Sequence, residues 1–402
     1  MDRDFRRLYV AAFGSQFGTQ LSYVALPLLA VTALDASPGE VGLLSSLATL
    51  VVLVMGLPAG VWVDRVRRRP VMVTMDVVRA AAVASVTAAW WLDALTMEQL
   101  YLVAIVSGVG TLFFDVASHS MVPALVGRDR LTSANSLLVG TNSAMYISGR
   151  SVGSVLTQVL GAPLVLLLDA VTYVWSALWL RGIRAVEPPP AVREPVGRQL
   201  REGLRFLFGN RVLVSIAAQG AMVNLGFPLA TVLLPVLLIR ELAFPEWVFG
   251  AFLAASGVGS LVGSACAHLL ARWLGQGRAV WLLAVGTAPF SLLVPLLDQG
   301  AWIWLSAAGF FVQSVRTGVN NVLLVSFRQQ LTPDHMLGRM TSIMQVILMG
   351  AVGVGGLLAG GVGELWGVRA PLWAGAILMA LSWAPLITVR SEIRQLSVPS
   401  RR

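Results

Sequence analysis

The sequence predicts an all-α integral membrane protein, with twelve transmembrane helices arranged as two six-helix pseudo-repeat bundles. Three observations carry this. Hydrophobic residues fill 56% of the 402 positions and charged residues only 12%, about half the charged share that a soluble surface needs. The apolar residues fall into twelve runs, each long enough to cross a hydrocarbon core about 30 Å thick. A segment following the fourth run also recurs after the fourth run of the second half.

The runs cover about 8–34, 40–63, 71–92, 99–119, 132–160, 162–183, 211–239, 247–272, 279–297, 301–327, 338–362 and 368–389. The first follows a basic N-terminus without a small-residue cleavage site and is expected to remain as a span. Residues 1–183 form the first bundle and 211–390 the second. Residues 184–210 are a linker: Pro188, Pro189, Pro190 and Pro195 keep its start extended, and 197–208 form a short amphipathic helix. Residues 391–402 are a tail. The repeat is read from LVGRDRLTSANS at Leu125 and LTPDHMLGRMTS at Leu331, 206 positions later.

Every one of the 29 basic residues is arginine, and the net charge is +9. The arginines sit in short gaps between apolar runs, so the charge speaks for topology and not for nucleic acid. With both termini placed in the cytoplasm, 24 arginines fall on the cytoplasmic side, Arg240 and Arg369 outside, and Arg79, Arg150 and Arg316 within spans. Outer loops carry acids instead, among them Asp35, Glu40, Asp93, Glu98 and Asp298. The single cysteine, Cys266, excludes an intrachain disulfide. No metal cluster, phosphate loop or nucleophile–base arrangement appears, which argues against an enzyme, a cofactor and ATP-driven transport by this chain alone.

Gly60-Val-Trp-Val-Asp64-Arg65-Val-Arg67-Arg68-Arg69, between the second and third spans, resembles the signature loop of the major facilitator superfamily. Arg67 stands where the family usually has glycine. FFDVASHSMVPALVGRDRLTSANSL, LLLDAVTYVWSALWL, REGLRFLFGNRVL and LTPDHMLGRMTS are similar to the branch of enterobactin exporters and macrolide-efflux permeases. The resemblance covers nearly the whole chain. It implies the major facilitator fold in a bacterial inner membrane, and proton-driven export of a small amphipathic molecule by alternating access. Uptake symport or lipid transport on the same fold is the alternative, and a non-transporting receptor a third. A monomer is expected.

The resemblance also assigns roles. The loop residues Gly60, Asp64, Arg65 and Arg68 would gate the cytoplasmic side, pairing with a carboxylate at the inner end of the fourth span. Asp115, roughly 24 Å below the outer face by helical rise, fits that partner. Glycine pairs four apart (56/60, 149/153, 259/263 and 356/360) lie on the four spans that join the halves in the family, although Gly14/Gly18 shows the same spacing. They are read as serving close helix packing and rocking together. Spans 1, 4, 7 and 10 surround the family's cavity.

Charged and polar side chains within spans are costly in hydrocarbon and therefore informative. Gln313, Arg316, Thr317 and Asn320 make one polar stripe in the tenth span; Gln16, Gln20 and Tyr23 make another in the first. Thr111, with Ser107, and Asn224, with Gln219, add to the expected substrate cavity. Asp76, Asp115 and Asp169 are the candidates for proton coupling, with His119 and His268 near cytoplasmic ends; Arg150 is a further buried charge, which as an arginine cannot give up its proton. Asp76 has Arg79 one turn away as a local ion-pair partner, and Arg150 is a candidate partner for Asp169 or for an anionic cargo. The family's arginine in span 4 has no counterpart: Ser107 stands there. The absence of an acid inside the first span, with buried arginines and amides, favours neutral or anionic cargo over lipophilic cations.

Overall fold

The computed structural model describes residues 3–63, 65–126, 131–184, 196–333 and 336–389, and all its regular elements are helical. They are α1 (Arg3–Ala33), α2 (Pro38–Val63), α3 (Arg68–Trp91), α4 (Met97–Val126), α5 (Leu131–Leu160), α6 (Ala162–Arg181), α7 (Val196–Gly209), α8 (Arg211–Thr231), α9 (Glu246–Leu274), α10 (Gln276–Gly286), α11 (Ala288–Ser291), α12 (Trp302–Leu331), α13 (Leu337–Trp366), α14 (Arg369–Leu381) and α15 (Ala384–Ile387). A π-helical segment, Val236–Glu241, extends α8, and a 3-10 turn, Val294–Leu296, follows α11.

Among the described residues, eight helical stretches are long and apolar enough to cross a membrane, and α10 with α11 forms a ninth bent by 45°. Outside that group are α7, of 14 residues and too short to cross, and α1, α5 and α12, of 31, 30 and 30 residues. The length of these last three suffices for a span, but polar side chains lower their hydropathy. With these, the spans among the described residues number twelve, and α1 and α12 carry the polar stripes seen in the sequence. Trp90, Trp91, Trp273, Trp302, Trp304 and Trp366 are exposed near helix ends, where the amphipathic indole suits the membrane interface. Val171, Val258, Leu261 and Ile377 are exposed along helix middles, as a lipid-facing surface requires.

Two compact units result: Met1–Arg193 with Leu238–Ala251, and Glu194–Leu237 with Phe252–Arg402. The first is built on α1 packed against α5 and α6, with α3 against α4 and α6. Its core includes Leu8, Met72, Phe114, Val122 and Leu180. Segment 238–251 joins it through Arg240, which pairs with Asp35 at 2.8 Å. The second packs α8 against α13 and α14, around Leu213, Val319, Phe327, Met340 and Leu386. The amphipathic α7 buries Leu207 in that core and pairs Glu202 with Arg339.

Helix ends follow local chemistry. Asn210 caps α8, its side-chain oxygen accepting from Val212 and Leu213 N–H at 3.0 and 3.2 Å. Gly161 and Gly367, at φ +83° and +82°, turn the chain into α6 and α14, a backbone region only glycine enters freely. They are 206 positions apart, so the repeat extends to backbone conformation. Arg7 and Arg69 donate to the carbonyls of Gly182 and of Leu180 and Arg181 at the end of α6, where orphan carbonyls attract positive charge.

The glycine pairs on α5 and α9 serve packing inside each unit. A Cβ on Gly149 would sit 2.8 Å from Gln20 Cβ, and one on Gly153 3.3 Å from Leu21 Cα, both on α1. A Cβ on Gly259 would sit 2.7 Å from the Phe311 carbonyl of α12. Nothing lies within 4 Å of a Cβ at Gly56 or Gly60.

Candidate functional site

In the first unit the polar residues converge on one guanidinium. Arg79, on α3, is 1% exposed and pairs with Asp76 one turn earlier. The nitrogen that pairs with Asp76, Nη2, also donates to Ser15 Oγ of α1 at 2.9 Å, and Nη1 donates to Thr111 Oγ1 of α4 at 3.1 Å. It lies over the rings of Tyr173 (4.2 Å) and Phe114 (5.1 Å), a cation–π contact strengthened by exclusion of water. Space for it comes from Gly110, where a Cβ would be 2.6 Å from Arg79 Cγ.

α1 distributes hydroxyls and amides around this centre. Ser15 Oγ donates to Asp76 Oδ1 at 3.4 Å, Thr19 bonds Tyr173 Oη at 3.0 Å, and Ser22 donates to Asp169 Oδ2. Asp169, on α6, is fully buried and also accepts from Thr172 Oγ1 of its own helix at 3.4 Å. Gly18 of α1 makes room for it: a Cβ there would overlap both Asp169 Oδ1 and Thr172 Oγ1. Gln16 Nε2 donates to Asp115 Oδ1 of α4 at 3.1 Å. On another face of α1, Gln20 Oε1 accepts from Arg150 Nε of α5 at 2.8 Å, and Tyr23 stacks 3.5 Å beneath the same guanidinium.

The expected grouping changes accordingly. Gln16 and Thr111 belong to the charge network, and Gln20 and Tyr23 hold Arg150. Asp169 and Arg150 have separate partners on different faces of α1. Asp115 engages Gln16. Of the loop residues, Arg65 is exposed after α2 and Arg68 begins α3; Asp64 lies outside the described residues. Pairing of Asp76 with Arg79 follows from their spacing. The reach of Arg79 to three other helices does not, nor do the roles of Ser22, Thr19 and Tyr173.

The second unit contains a small cavity of about 10 Å³, room for roughly one water molecule, lined by Val223, Phe227, Phe310, Gln313, Ser314, Arg316, Thr317 and Met379. Phe227 and Phe310 stack at 6.0 Å with ring planes 14° apart. Arg316, 2% exposed, donates to the Met379 carbonyl at 3.3 Å and to Ser382 Oγ. Both acceptors are neutral, so no carboxylate among its contacts offsets its charge. Gln313 Nε2 is buried with no hydrogen-bond partner. Asn320 is buried a turn further along α12 with Oδ1 unpartnered, and Asn224 donates to the Gly220 carbonyl of its own helix at 2.9 Å. Neither lines the cavity. The site thus combines an aromatic wall, a cation and a spare amide donor. Phe227 and Phe310 are the components that polar-residue reasoning passes over.

The family model described as Major Facilitator Superfamily matches residues 8–351. The chain belongs to the major facilitator superfamily. This superfamily member is 27% identical to the "Multidrug efflux pump Tap" of Mycolicibacterium fortuitum, over 97% of this chain and 96% of that one. It is 25% identical to the "Enterobactin exporter EntS" of Shigella boydii serotype 18, over 97% and 92%. Among solved structures, it is similar to a bacterial homologue of the iron transporter ferroportin in an inward-facing state (TM-score 0.76, 17% identity, covering 97% and 99%). It is also similar to the nucleoside transporter NupG (TM-score 0.72, 13% identity, covering 98% and 100%). The structural likenesses establish the fold. The chain is a multi-pass membrane transporter for small molecules, not an enzyme.

Proposed function

We propose that this transporter exports small amphipathic molecules, neutral or anionic, by alternating access driven by inward proton flow across a bacterial inner membrane. Both termini face the cytoplasm in this reading, as the arginine distribution requires. Tap and EntS, whose names state efflux and export, support the direction.

The observation that carries the cargo class is the cavity at Arg316. A buried guanidinium whose contacts are a carbonyl and a hydroxyl attracts an anionic or strongly accepting group. Gln313 supplies a further donor, and Phe227 with Phe310 offers an apolar face to the rest of the molecule. A lipophilic cation would meet like charge there. The loop at Gly60–Arg69 gates the cytoplasmic side in this scheme, and the two units move as the alternating halves.

Inverted membrane vesicles test this. An imposed inside-acid gradient should drive accumulation of a catecholate siderophore or a neutral macrolide, and an uncoupler should abolish it. Accumulation confined to lipophilic cations would overturn the cargo class. Loss of preloaded compound under the same gradient would reverse the direction.

A further inference from the structure

Resting on the export reading, we propose that the driving proton binds at Asp169, within a cluster in which Asp76 pairs with Arg79 and Asp115 and Asp169 act on the same guanidinium at longer range. Asp76 takes the ion pair. Asp115 is half-buried and receives the Gln16 amide. Asp169 is fully buried and receives only the hydroxyls of Ser22 and Thr172. An ionised carboxylate away from water is costly without a cationic partner, and a proton removes that cost. With all three acids ionised the cluster would carry a net charge of −2, beyond what one arginine offsets.

A second observation points to the same ligand. Asp76 has no exposure, and its Oδ2 receives no well-formed hydrogen bond, with the equally unpartnered, buried Ser176 hydroxyl beside it. A buried carboxylate oxygen without such a bond is an acceptor for a mobile proton. The charged groups acting on Asp169 are Arg79 and Asp76 from α3; α1 offers Ser22, and α6 itself offers Thr172 and Tyr173. On α5, Arg150 is engaged with Gln20 and Tyr23.

The groups form a path. Ser22, Thr19 and Ser15 lie on one stripe of α1 at spacings of three and four residues, rising about 10 Å along the axis. Ser22 bonds Asp169, Thr19 bonds Tyr173, and Ser15 bonds Arg79 and Asp76. Gln16, beside Ser15, reaches Asp115 toward the cytoplasmic end of α4. A proton taken from water on the outer side rests on Asp169 as the carboxylic acid and leaves to water near Asp115; no other bond changes. α1 carries the consequence, because Gln20 and Tyr23 on the turn beside Ser22 hold Arg150.

Difference infrared spectroscopy of the purified full-length protein reads the carboxyl directly, independently of any cargo. The expected result is a carbonyl stretch of a protonated buried carboxyl that titrates with pH and is lost in Asp169→Asn. Ser22→Ala keeps the carboxyl and should shift that band to the higher frequency of a less hydrogen-bonded acid, which holds if Asp169→Asn fails to fold. The band should be unaffected by replacing sodium with choline at fixed pH. Persistence of the band in Asp169→Asn with loss in Asp76→Asn or Asp115→Asn, no band at any pH, or a sodium-dependent band would each overturn the assignment. In vesicles, Asp169→Asn should lose gradient-driven accumulation yet retain exchange of catecholate siderophore. A wild type inert to every compound but with the titrating band intact would refute the export reading alone.

Discussion

The niche at Gly18 gives a prediction whose sign depends on the structure. Replacing glycine by alanine within a helix favours folding by about 1 kcal/mol through helix propensity. At Gly56 nothing lies within 4 Å of the added methyl, so Gly56→Ala should show that gain. At Gly18 the same methyl would overlap Asp169 Oδ1 and Thr172 Oγ1. Overpacking costs about 1–3 kcal/mol. Asp169 is fully buried, and losing its Ser22 bond costs about 1–3 kcal/mol more. Gly18→Ala should therefore be destabilised by roughly 1–5 kcal/mol net. For a unit near 200 residues, about 2–4 °C per kcal/mol applies. The assay is thermal unfolding in detergent, followed by tryptophan fluorescence. Gly18→Ala should melt several degrees below the wild type and Gly56→Ala slightly above it. Adding Asp169→Ala empties the niche, so the Gly18→Ala penalty should shrink by about 1–3 kcal/mol as a coupling term. A Gly18→Ala protein as stable as Gly56→Ala, with no coupling to residue 169, would refute this packing.

Other perturbations separate the two sites. Arg316→Gln should weaken binding of an anionic siderophore by about 10- to 150-fold, the value of one charged hydrogen bond, while leaving a neutral macrolide within about two-fold; equilibrium binding to purified protein decides it. Arg79→Met breaks a buried pair and strands its carboxylates, costing about 3–5 kcal/mol; Asp76→Leu/Arg79→Met should recover most of the loss in melting temperature. Gly318→Ala drives a methyl against the Ser260 carbonyl, which is backbone and cannot yield. It should cost about 1–3 kcal/mol, read as a lowered melting temperature and reduced monodisperse yield.

The spans were legible because hydrophobic run length is a local property, and the bilayer fixes the length required. Asp76 with Arg79 was legible for the same reason: three residues on one helix are neighbours wherever that helix goes. The remaining contacts of Arg79 depend on how α1, α4 and α6 surround α3, which no spacing records. Asp169 and Arg150 illustrate the opposite error. Their opposite signs and similar depth suggest a pair, but α1 lies with Ser22 facing one and Gln20 the other. Glycines mislead similarly. Gly149 and Gly153 have the spacing of a sliding interface, yet their neighbours are Gln20 and Leu21 within the same unit.

The 206-residue repeat offset shows how the two units present opposite chemistry at matching positions. Positions 206 apart pair Gly110 with Arg316, Tyr173 with Met379, Ser176 with Ser382 and Asp169 with Gly375. In the first unit Gly110 leaves room for a guanidinium from α3, which lies over Tyr173. In the second the guanidinium grows from α12 at the matching position and bonds the Met379 carbonyl and Ser382. Both bundles thus hold an arginine in an equivalent place, reached from different helices. The acids differ. Where the first unit has Asp169 beside Gly18, the second has Gly375, whose Cβ would lie 2.5 Å from the Gly226 carbonyl. That close glycine contact leaves no volume for a carboxylate. Without acids beside it, the second arginine keeps its charge available for an anionic cargo. With three acids around it, the first cannot neutralise them all, and a proton can. Placing an acid in the second unit, as in Gly375→Asp, should accordingly fail on packing before it could create a second proton site. A well-folded Gly375→Asp protein with a second titrating carboxyl band would refute that argument.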